Sequence, residues 1–404
     1  MTVSAFRRLV TDEALNRVWQ GFWKKAAKQT SAGIDGVTPS AFQVDLQTNL
    51  RRLRRDLEGG YRFSDLRGNA IAKPDGSFRI ICVPTVRDRL VQRLIASHLN
   101  SHQDRLGIVN SVSFGFVRPT AGQKRGVAAA RDRAIQLRGK HNWAYKSDIS
   151  AFFDRIPRDV LLTQTLAALR SPSFGPILSG VIGCELDTSD PRIERIARAN
   201  KLQRGLGVRQ GMPLSPLFAN LILRSFDKKV VDLGLPMVRY ADDFIIFADS
   251  EERCQEIDRI VRVELDKIQL ELPGLGVVGS KTRIAAPSED IDFLGMSLAY
   301  QSSGTYQLMI TDKQFSKIKD ALGKLKDLDA LCSRGIDIRG LTKILGNTID
   351  GYLAAYSAAK NSDKLKDDLE AARVDVMESV LRKIFGDAAL KRCKGPYRTF
   401  MGIS

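Results

Sequence analysis

The stretch "VRYADDFIIFAD", residues 238–249, sets two adjacent carboxylates, Asp242 and Asp243, between two apolar runs. Val238 to Tyr240 and Phe244 to Phe247 are rich in β-branched and aromatic residues and read as buried strands, with Ala-Asp-Asp as the tight turn between them. Taken alone, an acidic surface turn is the competing reading. Like charges at the mouth of a buried hairpin repel unless a cation compensates them. Two-metal phosphoryl transfer meets that need: carboxylates hold two Mg²⁺ ions about 3.5–4 Å apart. One ion lowers the pKa of an attacking hydroxyl; the other neutralises a triphosphate and its leaving pyrophosphate. Positioning and electrostatics supply nearly all of this catalysis, so a third carboxylate on a rigid strand completes the set. Asp148, at the end of the apparent strand in "WAYKSDISAFFDRIP", is the candidate.

The elements that must position these groups are legible as hydrophobic periodicity and turn punctuation. Residues 12–30 read as an amphipathic helix with Leu15, Val18, Trp19, Phe22 and Trp23 on one side, and a second helix runs from Pro39 to about Leu57. "NAIAKPDGSFRIICVP", residues 69–84, has the pattern of a β-hairpin turning at Pro-Asp-Gly. A long helix from about Val86 to Leu99 follows. Residues 160–200 read as mainly helical, and 201–211 as extended and Gly-rich. "LSPLFANLILRSFDKKV" reads as one helix starting near Ser215-Pro216. After the acidic hairpin come a helix at about 251–270 and strands around 281–310. Beyond Thr311, apolar residues recur every three to four positions in three runs, which predicts a separate module of three helices.

Composition narrows the partners. Of 404 residues, 43% are hydrophobic, enough for well-filled cores in two or three subdomains, and no apolar run is long enough to span a membrane. Five scattered cysteines without CxxC spacing read as reduced thiols, and His98 and His102 as a helix face and no metal site. The formal net charge of +17 at pH 7 favours a polyanionic partner. The charge concentrates in "LRRLRRDL" at 50–57, which includes Arg51 and Arg52, and in 118–146, which includes Arg118, Lys124 and Arg125. A merely basic, solvated surface is the competing reading of that charge.

These motifs, in this order, resemble those of a reverse transcriptase over roughly residues 30–300. "KSDISAFFDRIP" resembles the first palm motif, which implies Asp148 and the backbone carbonyl of Ile149 as metal ligands and Phe153 as an aromatic gate against ribose 2′-hydroxyls. "GVRQGMPLSPLFANLIL" resembles the Q-G-x-x-x-S-P motif, which would lay Gln210 against the incoming nucleotide. "YADD" resembles the metal-binding turn. "GSKTRI" resembles the motif that places Lys281 near the phosphates, and "IDFLGMSL" the primer grip at Phe293, Leu294 and Gly295. "KPDGSFRIICVP" resembles the fingers hairpin, with Lys73 and Arg79 on the triphosphate. Asp154 and Asp159 read as structural or capping residues. "AGIDGVTPSAF", "SFGFVRPTAGQKRGVAAAR" and "ILGNTIDGYLAAY" look most like the group II intron lineage.

The resemblance implies an α+β right-hand polymerase: fingers at 1–85 and 156–207, a palm with an antiparallel sheet at 86–155 and 208–305, and an α-helical thumb with a basic tail at 306–404. It implies an RNA-directed DNA polymerase using dNTPs and two Mg²⁺ ions, or Mn²⁺ in their place. Its template would be RNA, and the basic segments at 51–55 and 118–140 would hold template and RNA/cDNA duplex. No stretch reads as a DNA-binding or HNH endonuclease domain, so the expectation is a stand-alone bacterial, cytoplasmic enzyme of antiphage defence, working on a dedicated structured noncoding RNA. A group II intron-type maturase, a template-independent or protein-primed DNA polymerase and an RNA-dependent RNA polymerase are the alternatives. The aromatic at 153 argues against the last.

Overall fold

The computed structural model describes residues 4–26, 31–73, 76–120 and 122–401. The chain divides into two compact units, residues 1–130 with 145–284 and residues 131–144 with 285–404. The fold class is α+β, with antiparallel hairpins among helices, as the sequence predicts.

In the first unit, β1 (Arg67–Ala72) and β2 (Phe78–Val83) form the hairpin read from the sequence, paired from Arg67 opposite Val83 to Ala72 opposite Phe78. Pro74 and Asp75 of its turn lie outside the described residues. The helix Val86–Asn100 follows, buried along much of its length through Val86, Leu90, Val91, Leu94, Ile95 and Leu99. Thr85 caps it: its hydroxyl accepts from Asp88 N at 3.1 Å, an interaction type worth about 1 kcal/mol. Asp88 is 1% exposed and accepts from Tyr61 Oη and Thr85 Oγ1, each at 2.7 Å. Burial raises its pKa, and those bonds oppose the shift.

A four-stranded sheet lies at the centre of the chemistry. Its order is β4 (Met237–Tyr240), β5 (Asp243–Ala248), β3 (Trp143–Asp148), β6 (Arg283–Ala285). β4 and β5 pair antiparallel, Tyr240 opposite Asp243, so Ala241 and Asp242 alone make the turn. The helix Glu251–Asp266 covers this region with Cys254, Ile257, Val261 and Leu265 buried, and Asp258 accepts from the buried Tyr145 hydroxyl of β3 at 2.7 Å.

The second unit holds an antiparallel meander, β7 (Ile291–Phe293), β8 (Met296–Tyr300) and β9 (Tyr306–Met309). Its longer helices are Asp312–Gly323, Ile338–Tyr356 and Ser362–Phe385, the three read from the periodicity. Ile318, Leu322, Leu365 and Leu369 are buried along them.

Several element boundaries differ from expectation. The second helix breaks at Asp45 into Pro39–Val44 and Leu46–Gly59, because Asp45 leaves helical geometry with φ −123° and ψ 48°. The helix at 214–230 is two, Ser215–Ile222 and Arg224–Asp232, joined at Leu223. The helix predicted over 12–30 is described as Asp12–Ala26, and residues 27–30 of its predicted span lie outside the described residues. Residues 201–211, read as extended, alternate turns with irregular backbone and one isolated bridge at Leu206. Leu325 and Leu328 fall in a 3₁₀ turn and in a short helix, Leu328–Ser333, beyond the first helix of the second unit.

Candidate active site

Alternation along β3 puts Lys146 and Asp148, two residues apart, on one face of the strand. β5 is the neighbour of β3, so Asp243 at its start and Asp242 in the turn before it arrive beside Asp148. Ile149 N donates to the Asp242 carbonyl at 3.3 Å and joins the two segments directly. Asp148, far from the Asp242-Asp243 pair in sequence, is therefore brought beside it. Ser147, pointing the other way, bonds the Thr282 hydroxyl at 2.7 Å. That fixes the adjacent Lys281, whose ammonium pairs with Asp148.

The carboxylates differ in state. Burial raises the Asp242 pKa; bonding from its own backbone amide opposes this, and the Asp148 charge adds to it. Asp243 is pushed up to about 6, by burial first, with Lys146 opposing and the two other aspartates reinforcing. Lys146 Nζ stands 3.6 Å from Asp243 Oδ1, an ion pair too long for a hydrogen bond, and that buried oxygen has no hydrogen-bond partner. Burial lowers the Lys281 pKa, but the bond to Asp148 and the three aspartate charges outweigh it and hold the pKa above its ordinary value.

A cavity of about 320 Å³ opens in front of Asp148 and Asp242. Lys73, Arg79, Phe153, Gln210 and Lys281 also line it, so all five side chains predicted for the nucleotide share one space. Asp243 does not line it, and stands beside it against Lys146. Phe152 and Phe153 both line the cavity, Phe152 buried and Phe153 half-buried. Gln210 is fixed through its backbone: Cys82 N donates to its carbonyl at 2.7 Å. The next residue has to be glycine, since a Cβ on Gly211, at φ +102°, would fall 2.5 Å from the Cys82 carbonyl oxygen.

Two groups that hold this arrangement, Arg239 and Glu185, were missed by sequence reasoning. Arg239, fully buried, donates Nε to Asp227 Oδ1 at 2.7 Å, Nη2 to Ser113 Oγ at 2.9 Å and Nη1 to the Ala241 carbonyl at 2.8 Å. Ala241 has φ +57°, a conformation unusual for a residue with a side chain, and the clamp on its carbonyl holds the acidic turn in shape. Glu185 accepts from Arg158 and Arg209, each at 2.7 Å, and from Gly205 N at 2.8 Å, and so braces the turns that lead to Gln210. Asp154, read from the sequence as structural or capping, is half-buried and lines the cavity, its pKa raised by burial with Arg209 and Lys73 opposing. A lone arginine inside the apolar "MVRYA" was the available signal for the first.

The basic residues divide. Arg51, Arg52, Arg118 and Lys124 are exposed. Arg125 donates Nη1 to the Ser113 carbonyl at 2.6 Å and lies over the Phe114 ring. Arg131 and Arg138, within the segment expected to grip nucleic acid, are 5% and 0% exposed; their guanidiniums bond backbone carbonyls inside the protein, which corrects that expectation for these two. Phe293, Leu294 and Gly295 belong to the second unit, at the turn between β7 and β8. His102 Nδ1 stands 2.8 Å from the His98 carbonyl oxygen, and His98 stacks on Phe174.

The profile of the reverse transcriptase (RNA-dependent DNA polymerase) family matches residues 71–298, more than half of the chain. The chain belongs to the reverse transcriptase family. The chain is 27% identical over 200 residues to protein YkfC of Escherichia coli, covering 48% of this chain and 49% of that protein. It is 22% identical over 372 residues to the group II intron-encoded protein LtrA of Lactococcus lactis, covering 74% and 57%. The chain thus spans about half the length of these relatives. Among solved structures it is similar to a chain of a partial Cas6-RT-Cas1–Cas2 complex, with 23% identity, coverage of 66% and 42%, and a TM-score of 0.36.

The donor chemistry of the site fits divalent cations. Asp148 and Asp242 offer hard oxygen ligands to the cavity, and Asp243 Oδ1 beside them, buried and without a hydrogen-bond partner, adds a third carboxylate. Among the described residues, no three acidic, His or Cys side chains already converge on one ion position. The positive charge is carried instead by Lys281 on Asp148 and Lys146 near Asp243.

Proposed function

We propose that this chain is an RNA-directed DNA polymerase that joins dNTPs to a primer hydroxyl. The observation that carries this reading is the single cavity in which Asp148 and Asp242 face Lys73, Arg79, Phe153 and Gln210. Carboxylates at one wall and cations at another suit a nucleoside triphosphate with its metal ions. Asp148, Asp242, Asp243 and the Ile149 carbonyl would hold Mg²⁺, which when bound supplies an activated hydroxyl and neutralises the leaving group. Lys73 and Arg79 bind the triphosphate, Gln210 lies along the nucleotide, and Phe153 occupies the space a 2′-hydroxyl would need. Lys281, which pairs with Asp148, would be placed to neutralise the phosphates. The template is RNA, and we place the enzyme in the bacterial cytoplasm, in antiphage defence, on a dedicated structured noncoding RNA. No helix among the described residues is long and apolar enough to cross a membrane.

The test is extension of a DNA primer on an RNA template with Mg²⁺ and either dNTPs or rNTPs. Wild-type protein extends with dNTPs, and Asp242→Asn abolishes extension while leaving RNA binding within about threefold. Extension by the mutant would remove the metal-site assignment, and preference for rNTPs would make the enzyme an RNA polymerase. For the biological role, nucleic acid co-purifying from cells is sequenced. DNA complementary to one bound RNA, present only with intact aspartates, is the expected result. Bound RNA without aspartate-dependent DNA would point to a maturase-like binding protein.

A further inference from the structure

The turn between β7 and β8 is an unusual piece of backbone. Two successive residues, Leu294 at φ +52° and Gly295 at φ +83°, occupy the left-handed region, which a residue with a side chain such as leucine enters only when its surroundings hold it there. The holding group is Arg131. It lies in the helix Val127–Arg138 and is 5% exposed. Its Nε donates to the Leu294 carbonyl at 3.1 Å, and Nη2 donates to the same oxygen. Its Nη1 donates to the Ala355 carbonyl at 2.7 Å. That carbonyl is one of the last four of the helix Ile338–Tyr356, which have no partner within the helix and carry its negative end. The guanidinium carbon also sits 5.3 Å from the centre of the Tyr356 ring. A Cβ placed on Gly295 would lie 3.4 Å from both Arg131 Nη2 and the Tyr356 hydroxyl, so the clamp closes directly on the turn.

We propose that Arg131 is a positioning residue for DNA synthesis: it locks the Phe293-Leu294-Gly295 turn to the C-terminal end of the helix Ile338–Tyr356, so that turn and helix hold the primer end as one rigid part. The proposal rests on the reading of that turn as the primer grip of a polymerase. Arg131 is too buried to reach a nucleic-acid phosphate, so its effect passes through the turn. The bridge needs a planar donor fork that serves two carbonyls from two directions; a lysine ammonium in the same place keeps the charge but not the fork. Misplacing a reacting group by about an ångström costs up to about 100-fold in rate.

The experiment is single-nucleotide incorporation on an RNA template with an annealed DNA primer, dNTP and Mg²⁺, with the burst amplitude counting active sites. Wild-type protein that incorporates nothing removes the polymerase reading itself, separately from any role of Arg131. With active wild-type protein, Arg131→Gln and Arg131→Lys each lower the rate per active site by roughly 10- to 100-fold. Affinity for the primer–template changes by less than about threefold. Gly295→Ala strains the same turn, and combining it with Arg131→Lys costs no more than the larger single effect, as coupled sites require. A residue that only stabilised the fold would lower the thermal midpoint and the burst amplitude and leave the rate per active site unchanged. That result, full rescue by lysine, or additive effects with Gly295→Ala would each overturn the proposal. If Arg131→Gln does not fold, the lysine and alanine variants decide.

Discussion

The role proposed for Asp243 as a metal ligand works against the interest of the fold. The Asp243 carboxyl, with one oxygen fully buried, stands beside two other aspartates; burial first and their charge second push its pKa up to about 6, and Lys146 offsets only part of this. Because the folded-state value lies above the ordinary 3.8, the protonated form favours folding. That contribution is intact below about pH 3.8 and is lost as the pH rises through about 6, at up to roughly 1.4 kcal/mol per pH unit. Asp243→Asn should therefore stabilise the metal-free protein at pH 7.5 by about 1–3 kcal/mol and have little effect near pH 4. Urea melts in the presence of a chelator at both pH values measure it, and a stability difference that does not change with pH would rule out the burial argument. Phe153 makes the complementary case, an apolar residue left half-buried where core packing would enclose it. Phe153→Ala should let the enzyme accept rNTPs, with the preference for dNTPs falling by roughly 10- to 100-fold. Unchanged sugar discrimination in competition assays would return Phe153 to an ordinary packing role.

At the scale of elements, the acidic hairpin is held from behind by a buried ion pair. Arg239 and Asp227 are 0% and 1% exposed at their side chains, and removing one partner of such a pair costs about 3–5 kcal/mol because the other charge is stranded. Arg239→Met should lose that much stability. Adding Asp227→Leu should restore most of it but not activity, since the Ala241 carbonyl would still lack its donor. Denaturant midpoints and extension rates for the single and double variants separate the two effects, and full activity in the double variant would sink the clamp. This pair also marks the limit of what the sequence discloses. Hairpins and amphipathic helices announce themselves by period and by turn residues, so both the β1–β2 hairpin and the β4–β5 hairpin were legible, as was the helix Val86–Asn100. The break at Asp45 and the joint at Leu223 were not, because the apolar pattern runs across them. Asp148 was identifiable from its strand and motif, yet its meeting with Asp242 depends on strand order, which periodicity does not carry. Arg239, Glu185 and Arg131 act through backbone carbonyls and distant side chains, and single-sequence patterns record none of those partners.

At the scale of the whole molecule, the net charge of +17 is an upper guide to the charge available for nucleic acid, because some of the arginines are used internally. Arg125 is held by the Ser113 carbonyl and Phe114, whereas Arg51 and Arg52 project from the helix Leu46–Gly59 into solvent. Exposed and internally bonded arginines should therefore respond differently to the same substitution. Each phosphate that is no longer neutralised lowers the slope of log affinity against log salt, by about 0.7 on single-stranded RNA and about 0.9 on a duplex. Arg51→Gln with Arg52→Gln should flatten that slope by roughly 1.4–1.8, weaken binding about equally for unrelated RNA sequences, and leave the thermal midpoint unchanged. Arg125→Gln should instead lower the midpoint with little change in slope, because its guanidinium donates to the fold and not to phosphate. Filter binding of two unrelated RNAs between low and moderate salt, beside thermal melts of each variant, distinguishes the two classes. If Arg51 and Arg52 can be neutralised with no change in slope, the nucleic acid lies elsewhere on the surface, and the cluster on that helix is a solvated face.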